Sequence, residues 1–432
     1  MKKLYSSIIA AVAVLLLCSC GSDRTKVLKV YNWASYIADG VIDDFKDWYK
    51  DVTGEDIEVV YQTFDINETM LSKIEKGHED FDVVCPSDYI IERMLNSGIL
   101  LPLDFSVIPD SLNYINNNRS PYITRMFRGI NPDIDANDYS VAYMWGTTGI
   151  IYNSDKVTEE EASTWEVLRN PKFAGKILIK DAPRDVYSPV LILLRQEEIK
   201  SGKVTIEELM RDSSDSSLAD VEAFMKQVKE GVCGWEADFG KDQMTQDRAY
   251  VSLNWSGDGV WAIEEAAEVG LNLAYTIPKE GSTVWFDGWV IPKYAQNTKA
   301  ATLFIDFMCR PDIAIRNMDE TGYVSANGDM SVLESQIDEE CDPIDVSYFF
   351  PGQTEVRVNP ALYPSKEMIE ICGLEHDWGE DTDKLIAMWG RIKGQNADHT
   401  TVIVIAIAAV AALCGIFVSL KRKKARSSKR RK

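Results

Sequence analysis

Histidine is almost missing from this chain: His78, His376 and His399 are its three histidines in 432 residues, too scattered to suggest a zinc site. There is no G-x-S-x-G elbow, no H-E-x-x-H pair, no G-x-G-x-x-G turn and no phosphate loop closed by lysine. Those absences remove the usual signatures of acyl transfer, zinc proteolysis, dinucleotide binding and nucleotide hydrolysis. Cysteine is sparse as well. Away from the two ends it occurs five times, as Cys85, Cys233, Cys309, Cys341 and Cys372. An odd number at irregular spacing is neither a disulfide framework nor a metal signature. Cys85 and Cys309 lie in apolar runs and read as small core residues; Cys341 with Cys372 is the one bridge conceivable in an oxidising compartment. No cofactor and no metal is expected.

Positive charge is scarce except at the ends. All 68 acidic residues fall between Asp23 and Asp398, whereas Lys2, Lys3 and nine basic residues after Leu420 sit outside the acidic body. The formal net charge of −22 therefore understates how acidic that body is. Such a field repels nucleic acid and raises the local concentration of small cations. With 45% hydrophobic and 26% charged residues, the body is large enough for two packed lobes.

Both ends read as membrane attachments. Lys2 and Lys3 precede an apolar run over residues 8–17 and then Leu17-Cys18-Ser19-Cys20-Gly21. A basic start, a short apolar core and small residues before a cysteine predict a lipoprotein signal peptide over residues 1–19, with Cys20 lipidated. Residues 402–420 carry no charge and are followed by KRKKARSSKRRK over residues 421–432. Their length predicts a transmembrane helix with a basic cytoplasmic tail, which puts the body on the outer face, periplasmic or extracellular.

Between these ends, strand-like and helix-like stretches alternate. Residues 26–31, 57–61 and 81–85 read as strands, residues 41–49 and 67–76 as helices, and Ser87 as the N-cap of a further helix. The alternation predicts parallel strands flanked by helices, with a ligand beyond their carboxyl ends. Residues 143–152 (YMWGTTGIIY) read as a first crossing between lobes. A second α/β unit follows with strands at 176–179 and 250–254, and residues 274–287 return. Residues 327–364 are acidic with no readable period, and a last helix is expected over 383–393.

The segment that organises these pieces is residues 276–292, TIPKEGSTVWFDGWVIP. On a strand, Trp285 and Asp287 project from one face. Trp33 and Tyr36 follow the first strand, Ser87 and Tyr89 the third, Asp181 and Asp185 the fourth, Trp255 and Asp258 the fifth; Tyr323 follows a helix. Rings and carboxylates recurring at strand ends suit an organic cation: the acids pair with ammonium groups, and the ring faces take cation–π contacts and methylenes. Paired carboxylates beside aromatic rings also describe glycoside hydrolases. That competing reading requires a carboxyl group with a raised pKa as general acid, whereas a cation site requires pKa values that fall on binding.

Several stretches together resemble the spermidine/putrescine-binding proteins of bacterial polyamine ABC transporters. They are YNWASYI, Asn67-Glu68-Thr69-Met70, DVVCPSDY, YMWGTTGIIYN, DAPRDVY, NWSGD, IPKEGSTVWFDGWVIP, CRPDIA and TGY, in that order. The resemblance implies an α/β, two-lobe periplasmic-binding-protein-like fold of type II, each lobe a mixed sheet flanked by helices. Lobe 1 is expected over residues 27–144 and 286–328, lobe 2 over residues 145–285 and 329–396. It also implies ligand contacts by Trp33, Tyr36, Ser87, Tyr89, Asp181, Asp185, Trp255, Asp258, Trp285, Asp287 and Tyr323, with hinge closure delivering a small polyamine to an ABC permease and its ATPase. The implied role is capture rather than catalysis, and a membrane-tethered polyamine sensor without transport is the alternative. Ser35 stands where relatives commonly carry an acid, and the late glutamine that contacts ligand in some members has no clear counterpart, although Glu375 or His376 lies near the right place.

Overall fold

The computed structural model describes residues 23–236 and 240–394. The expected signal peptide, Cys20, the transmembrane helix and the basic tail lie outside the described residues. Among the described residues no helix is long and apolar enough to cross a membrane. The chain divides into a body through Thr382 and a second unit from Asp383.

Fourteen strands form in the body: β1 Val27–Trp33, β2 Glu58–Phe64, β3 Val83–Val84, β4 Leu100–Leu101, β5 Ser140–Asn153, β6 Ile177–Lys180, β7 Val232–Glu236, β8 Val251–Trp255, β9 Leu273–Thr276, β10 Ser282–Pro292, β11 Val324–Ser325, β12 Pro343–Ile344, β13 Val356–Arg357 and β14 Cys372–Leu374. Twelve make one sheet with the spine β2-β1-β3-β10-β5-β8-β6-β7, to which β11 and β9 add on β5, and β4 and β14 on β10. The expected parallel pairing holds within two blocks, β2-β1-β3 and β8-β6-β7. Between them the pairing along the spine is antiparallel, because β10 runs against β3 and β5, and β5 against β8; only the added β14 lies parallel to β10. The sheet is therefore mixed.

β5 joins the blocks. Its first half, through Thr147, pairs with β10, and its second half, from Thr148, pairs with β8. The run YMWGTTGIIY has no turn residue in a conformation that would break it, so one strand serves both blocks. All eleven residues of β10 are buried. Side-chain alternation sorts them: Val284, Phe286 and Val290 join the core built around Tyr31, Trp145 and Phe349, while Trp285, Trp289 and Ile291 join the one built around Phe45, Phe304 and Phe307.

The helices follow their sequence signals closely. α1 (Val41–Thr53) closes on Gly54 in the left-handed conformation, φ 75°. α2 (Asn67–Glu75) and α3 (Asp88–Asn96) follow β2 and β3. α4 (Pro183–Leu194) opens on a proline at its first position, where the missing N–H costs nothing. α5 (Asp215–Lys229) and α6 (Ser256–Glu268) complete the second block, and α7 (Thr298–Met308) and α8 (Pro311–Thr321) the first.

Three expectations are corrected. Ser87 occupies the N-cap position of α3, yet its side chain makes no cap bond, because the hydroxyl is engaged elsewhere. Residues 327–364, expected to be irregular, hold a short helix, Met330–Ser335, and the separate β12-β13 pair. These elements are too brief to show a period. Cys341 and Cys372 are free thiols; they donate to Asp338 and to the Met368 carbonyl respectively.

Candidate functional site

The carboxyl ends of β6 and β8 and the middle of β10 deliver polar groups to one place. Asp287 sits between Trp285 and Trp289, 6% exposed, where the pairing with β5 slips by a residue at Asp287/Gly288. Its carboxylate accepts hydrogen bonds from the Tyr36 hydroxyl at 2.8 Å and the Ser87 hydroxyl at 2.7 Å. Among the described residues no lysine, arginine or histidine forms an ion pair with it. A buried carboxylate with only neutral donors bears most of its desolvation cost. Burial accordingly raises its pKa to about 6, against the lowering effect of Ser87 and Tyr36, and Asp185 adds to the rise.

From Asp287 a chain of contacts runs both ways. On one side Asn67, the first residue of α2, donates to the Ser87 hydroxyl at 3.0 Å and the Tyr89 hydroxyl at 3.1 Å. Tyr89 donates in turn to Glu68 at 3.2 Å, and the Arg184 guanidinium lies 4.7 Å from its ring centre. On the other side Tyr36 meets Tyr323 edge-on at 5.3 Å, Tyr323 meets Trp285 at 5.6 Å, and Trp285 meets Trp255 at 6.3 Å. The Tyr323 hydroxyl donates to Asp258 at 3.1 Å, and Trp255 Nε1 donates to Asp185 at 2.9 Å.

Close approaches fix this geometry. A Cβ on Gly146 would stand 2.6 Å from the Trp285 ring and 2.7 Å from Ser256 Oγ, so only glycine lets that indole lie on β5. A Cβ on Gly257 would stand 2.3–2.5 Å from three carbons of the Tyr323 ring. Gly257→Ala is therefore expected to push Tyr323 off Asp258 and Trp285, lowering ligand affinity roughly tenfold and stability by about 1–3 kcal/mol, the usual scale of overpacking. Calorimetric titration and a thermal melt check both values.

Asp185 and Asp258 lie in the first turns of α4 and α6, where the helix dipole favours a negative charge. Their surroundings then separate them. Burial raises Asp185, only partly offset by the Trp255 bond and Lys180. Asp258 is equally enclosed, but the Lys180 and Lys241 ammonium groups outweigh burial and lower its pKa. Glu375 is raised well above the carboxylate range by burial and by Asp185, with Ser188 donating to it at 3.2 Å.

Nine of the eleven residues singled out in the sequence thus belong to one connected group. The other two lie beside it, Trp33 against the core that holds Tyr36, Trp285 and Tyr323, and Asp181 next to Glu236. Trp33 is half-buried at the end of β1, packed on Phe64 at 4.6 Å, its indole N–H buried without an acceptor. Asp181 is half-buried just past β6, where its backbone N–H donates to the Glu236 carbonyl at 2.6 Å. Ser35 is exposed in a left-handed turn, φ 51°.

Four participants were missed. Asn67 was noted in a motif but given no role; Arg184, Lys180 and Glu236 were given none. Lys180 closes the buried strand ILIK, and a charge ending an apolar run beside D-A-P-R-D was the signal available. His376, near the place of the late glutamine of some members, lies between Glu92 at 3.0 Å and Glu207 at 2.9 Å. Burial lowers its pKa, and the two glutamates more than reverse that.

Residues 41–338 match the bacterial extracellular solute-binding protein family. The putrescine-binding periplasmic protein PotF of Escherichia coli is 27% identical over 379 residues, covering 85% of this chain and 91% of PotF. The spermidine/putrescine-binding periplasmic protein of Escherichia coli is 29% identical over 382 residues, covering 88% and 95%. Among solved structures, the spermidine/putrescine ABC transporter substrate-binding protein PotD of Streptococcus pneumoniae superposes with a TM-score of 0.63 at 26% identity, covering 85% of this chain and 98% of PotD. The mixed sheet described above is thus the periplasmic-binding-protein-like architecture expected from the sequence.

Proposed function

The chain belongs to the bacterial extracellular solute-binding proteins, and on that premise we propose that it is an extracytoplasmic receptor for a polyamine of the spermidine/putrescine class, which it delivers to an ABC permease. One observation carries the choice of ligand. Asp287 is a buried carboxylate set among aromatic rings, held by two neutral hydroxyls and, among the described residues, without a cation of its own. An alkylammonium ion supplies the missing charge, and its methylenes gain the ring faces of Trp285, Tyr323 and Trp255. The ligands named for PotF and the spermidine/putrescine-binding protein of Escherichia coli agree with this class.

The mechanism is capture by closure. Tyr36, Ser87, Tyr89, Asp287 and Tyr323 belong to the proposed lobe of residues 27–144 and 286–328. Asp185, Trp255, Asp258 and Trp285 belong to the lobe of residues 145–285 and 329–396. A polyamine that touches both sets favours the closed form, because that form alone makes both sets of contacts. Closure then presents a surface to the permease. Trp33 and Asp181 border the ligand in this scheme. Lipid on Cys20 and the span over residues 402–420 hold the receptor at the periplasmic or extracellular face of the cytoplasmic membrane.

Titration of the full chain in detergent with putrescine, spermidine, spermine and agmatine tests the reading. Stoichiometric binding of at least one amine in the micromolar range or tighter is expected, about −8 kcal/mol. Absence of a binding heat with all four amines removes the reading.

A further inference from the structure

At the Asp258 end of the site the chain supplies an ammonium group itself. Lys180, the last residue of β6, is 1% exposed. Its Nζ lies 2.8 Å from Asp258 Oδ2, 3.4 Å from Glu236 Oε1 and 4.0 Å from the ring centre of Trp255. A carboxylate, a second carboxylate and an indole face are what a protonated amine of a ligand would seek here. The side chain of Lys180 is an alkylammonium of the same chemistry, so it occupies the position as a ligand nitrogen would. Lys241 stands 3.7 Å from the other oxygen of Asp258 and reinforces the positive balance at this end.

The carboxylates of the group therefore fall into two classes. Asp258 and Glu236 have a lysine; Asp287 and Asp185 have hydroxyl and indole donors, and Glu375, close to Asp185, has the Ser188 hydroxyl. We propose that Lys180 is a specificity-determining residue: it fills the ammonium position at Asp258 and Trp255, limits the ligand to two cationic groups, and makes the receptor prefer a diamine to a triamine. This rests on the polyamine reading given above. A third ligand ammonium arriving here meets Lys180 with no carboxylate left to receive it, and an unpaired cation in a dry site is strongly disfavoured. Selectivity comes from a repulsive element built beside the attractive ones.

The test is the ratio of dissociation constants for spermidine and putrescine, measured by calorimetry on the full chain and on Lys180→Met. The unaltered protein is expected to bind putrescine at least about tenfold more tightly than spermidine, and the substitution is expected to reverse that order, because Asp258 is released to pair with a ligand nitrogen. Lys180→Met strands two buried carboxylates and endangers folding. The double variant Lys180→Met, Glu236→Gln removes opposite charges together and still frees Asp258, so the same reversal is expected from it. A ratio unchanged in either folded variant, or spermidine preference in the unaltered protein, overturns the role of Lys180. Failure of the unaltered protein to bind either amine instead overturns the receptor reading itself.

Discussion

Asp287→Ala is expected to weaken binding of the preferred polyamine by about 3 kcal/mol or more, roughly a hundredfold in Kd, because it leaves an ammonium ion buried without its counter-charge. Trp285 and Tyr323 remain and still pack methylenes, so the loss falls on the charged contact. Folding is expected to respond in the opposite sense. The carboxyl of Asp287 has a pKa of about 6 in the folded protein, raised by burial from 3.8. A group raised on folding favours the folded state below its unfolded pKa, and that contribution is lost as pH climbs through the folded value. Above pH 6 the ionised Asp287 is therefore a cost to the unliganded protein, of order 3 kcal/mol for a shift of this size. Asp287→Asn removes the charge, keeps one oxygen to accept from one of the two hydroxyls and turns an amide N–H toward the oxygen of the other. It is expected to melt higher than the unaltered protein at pH 8 while losing the stabilisation that putrescine confers. A variant that melts lower and binds normally would mean that Asp287 supports the fold instead of the ligand.

That opposition between binding and stability was only partly legible in the sequence. The period of a strand put Trp285, Asp287 and Trp289 on one face, and burial of all of β10 follows from its near absence of polar residues. Acids and rings at strand ends were readable for the same reason: in α/β chains those positions converge. What pattern cannot supply is the partner of each polar atom. Ser87 takes the N-cap position, yet its hydroxyl faces the site, donating to Asp287 and accepting from Asn67, so its oxygen does not reach the helix N–H groups. Asn67 is one asparagine among many until β3 and α2 bring it against Ser87 and Tyr89. Lys180 and Glu236 lie 56 residues apart and meet through the pairing of β6 with β7. Asp258 was read as a free acid for the ligand, when the chain already pairs it. The antiparallel centre was hidden too, since strand direction depends on long connections and not on local composition.

Ligand affinity is expected to rise with pH through about 6 and to level off above about 7. Without ligand, Asp287 holds its proton up to about pH 6 because burial opposes the charge, and Asp185, itself raised by burial, opposes it further. Asp185 in turn lies close to Glu375 and raises it, so those two carboxyls titrate together. Ligand ammonium groups at Asp287 and at Asp185 reverse the balance and pull both values down. Binding at pH 6 must then release protons. At pH 5 the ligand must first displace a proton bound roughly tenfold more often than not, so Kd at pH 5 is expected to exceed that at pH 7 by about tenfold. Titration calorimetry in two buffers of different ionisation enthalpy counts the protons directly, and Asp287→Asn should abolish most of the release. The same measurement separates capture from glycoside hydrolysis, which also calls for a carboxyl with a raised pKa. A general acid must keep its proton in the complex with a neutral sugar, so substrate binding would release none and would not strengthen from pH 5 to 7. A flat affinity profile across pH 6 with a polyamine that does bind would show that neither Asp287 nor Asp185 receives the amine.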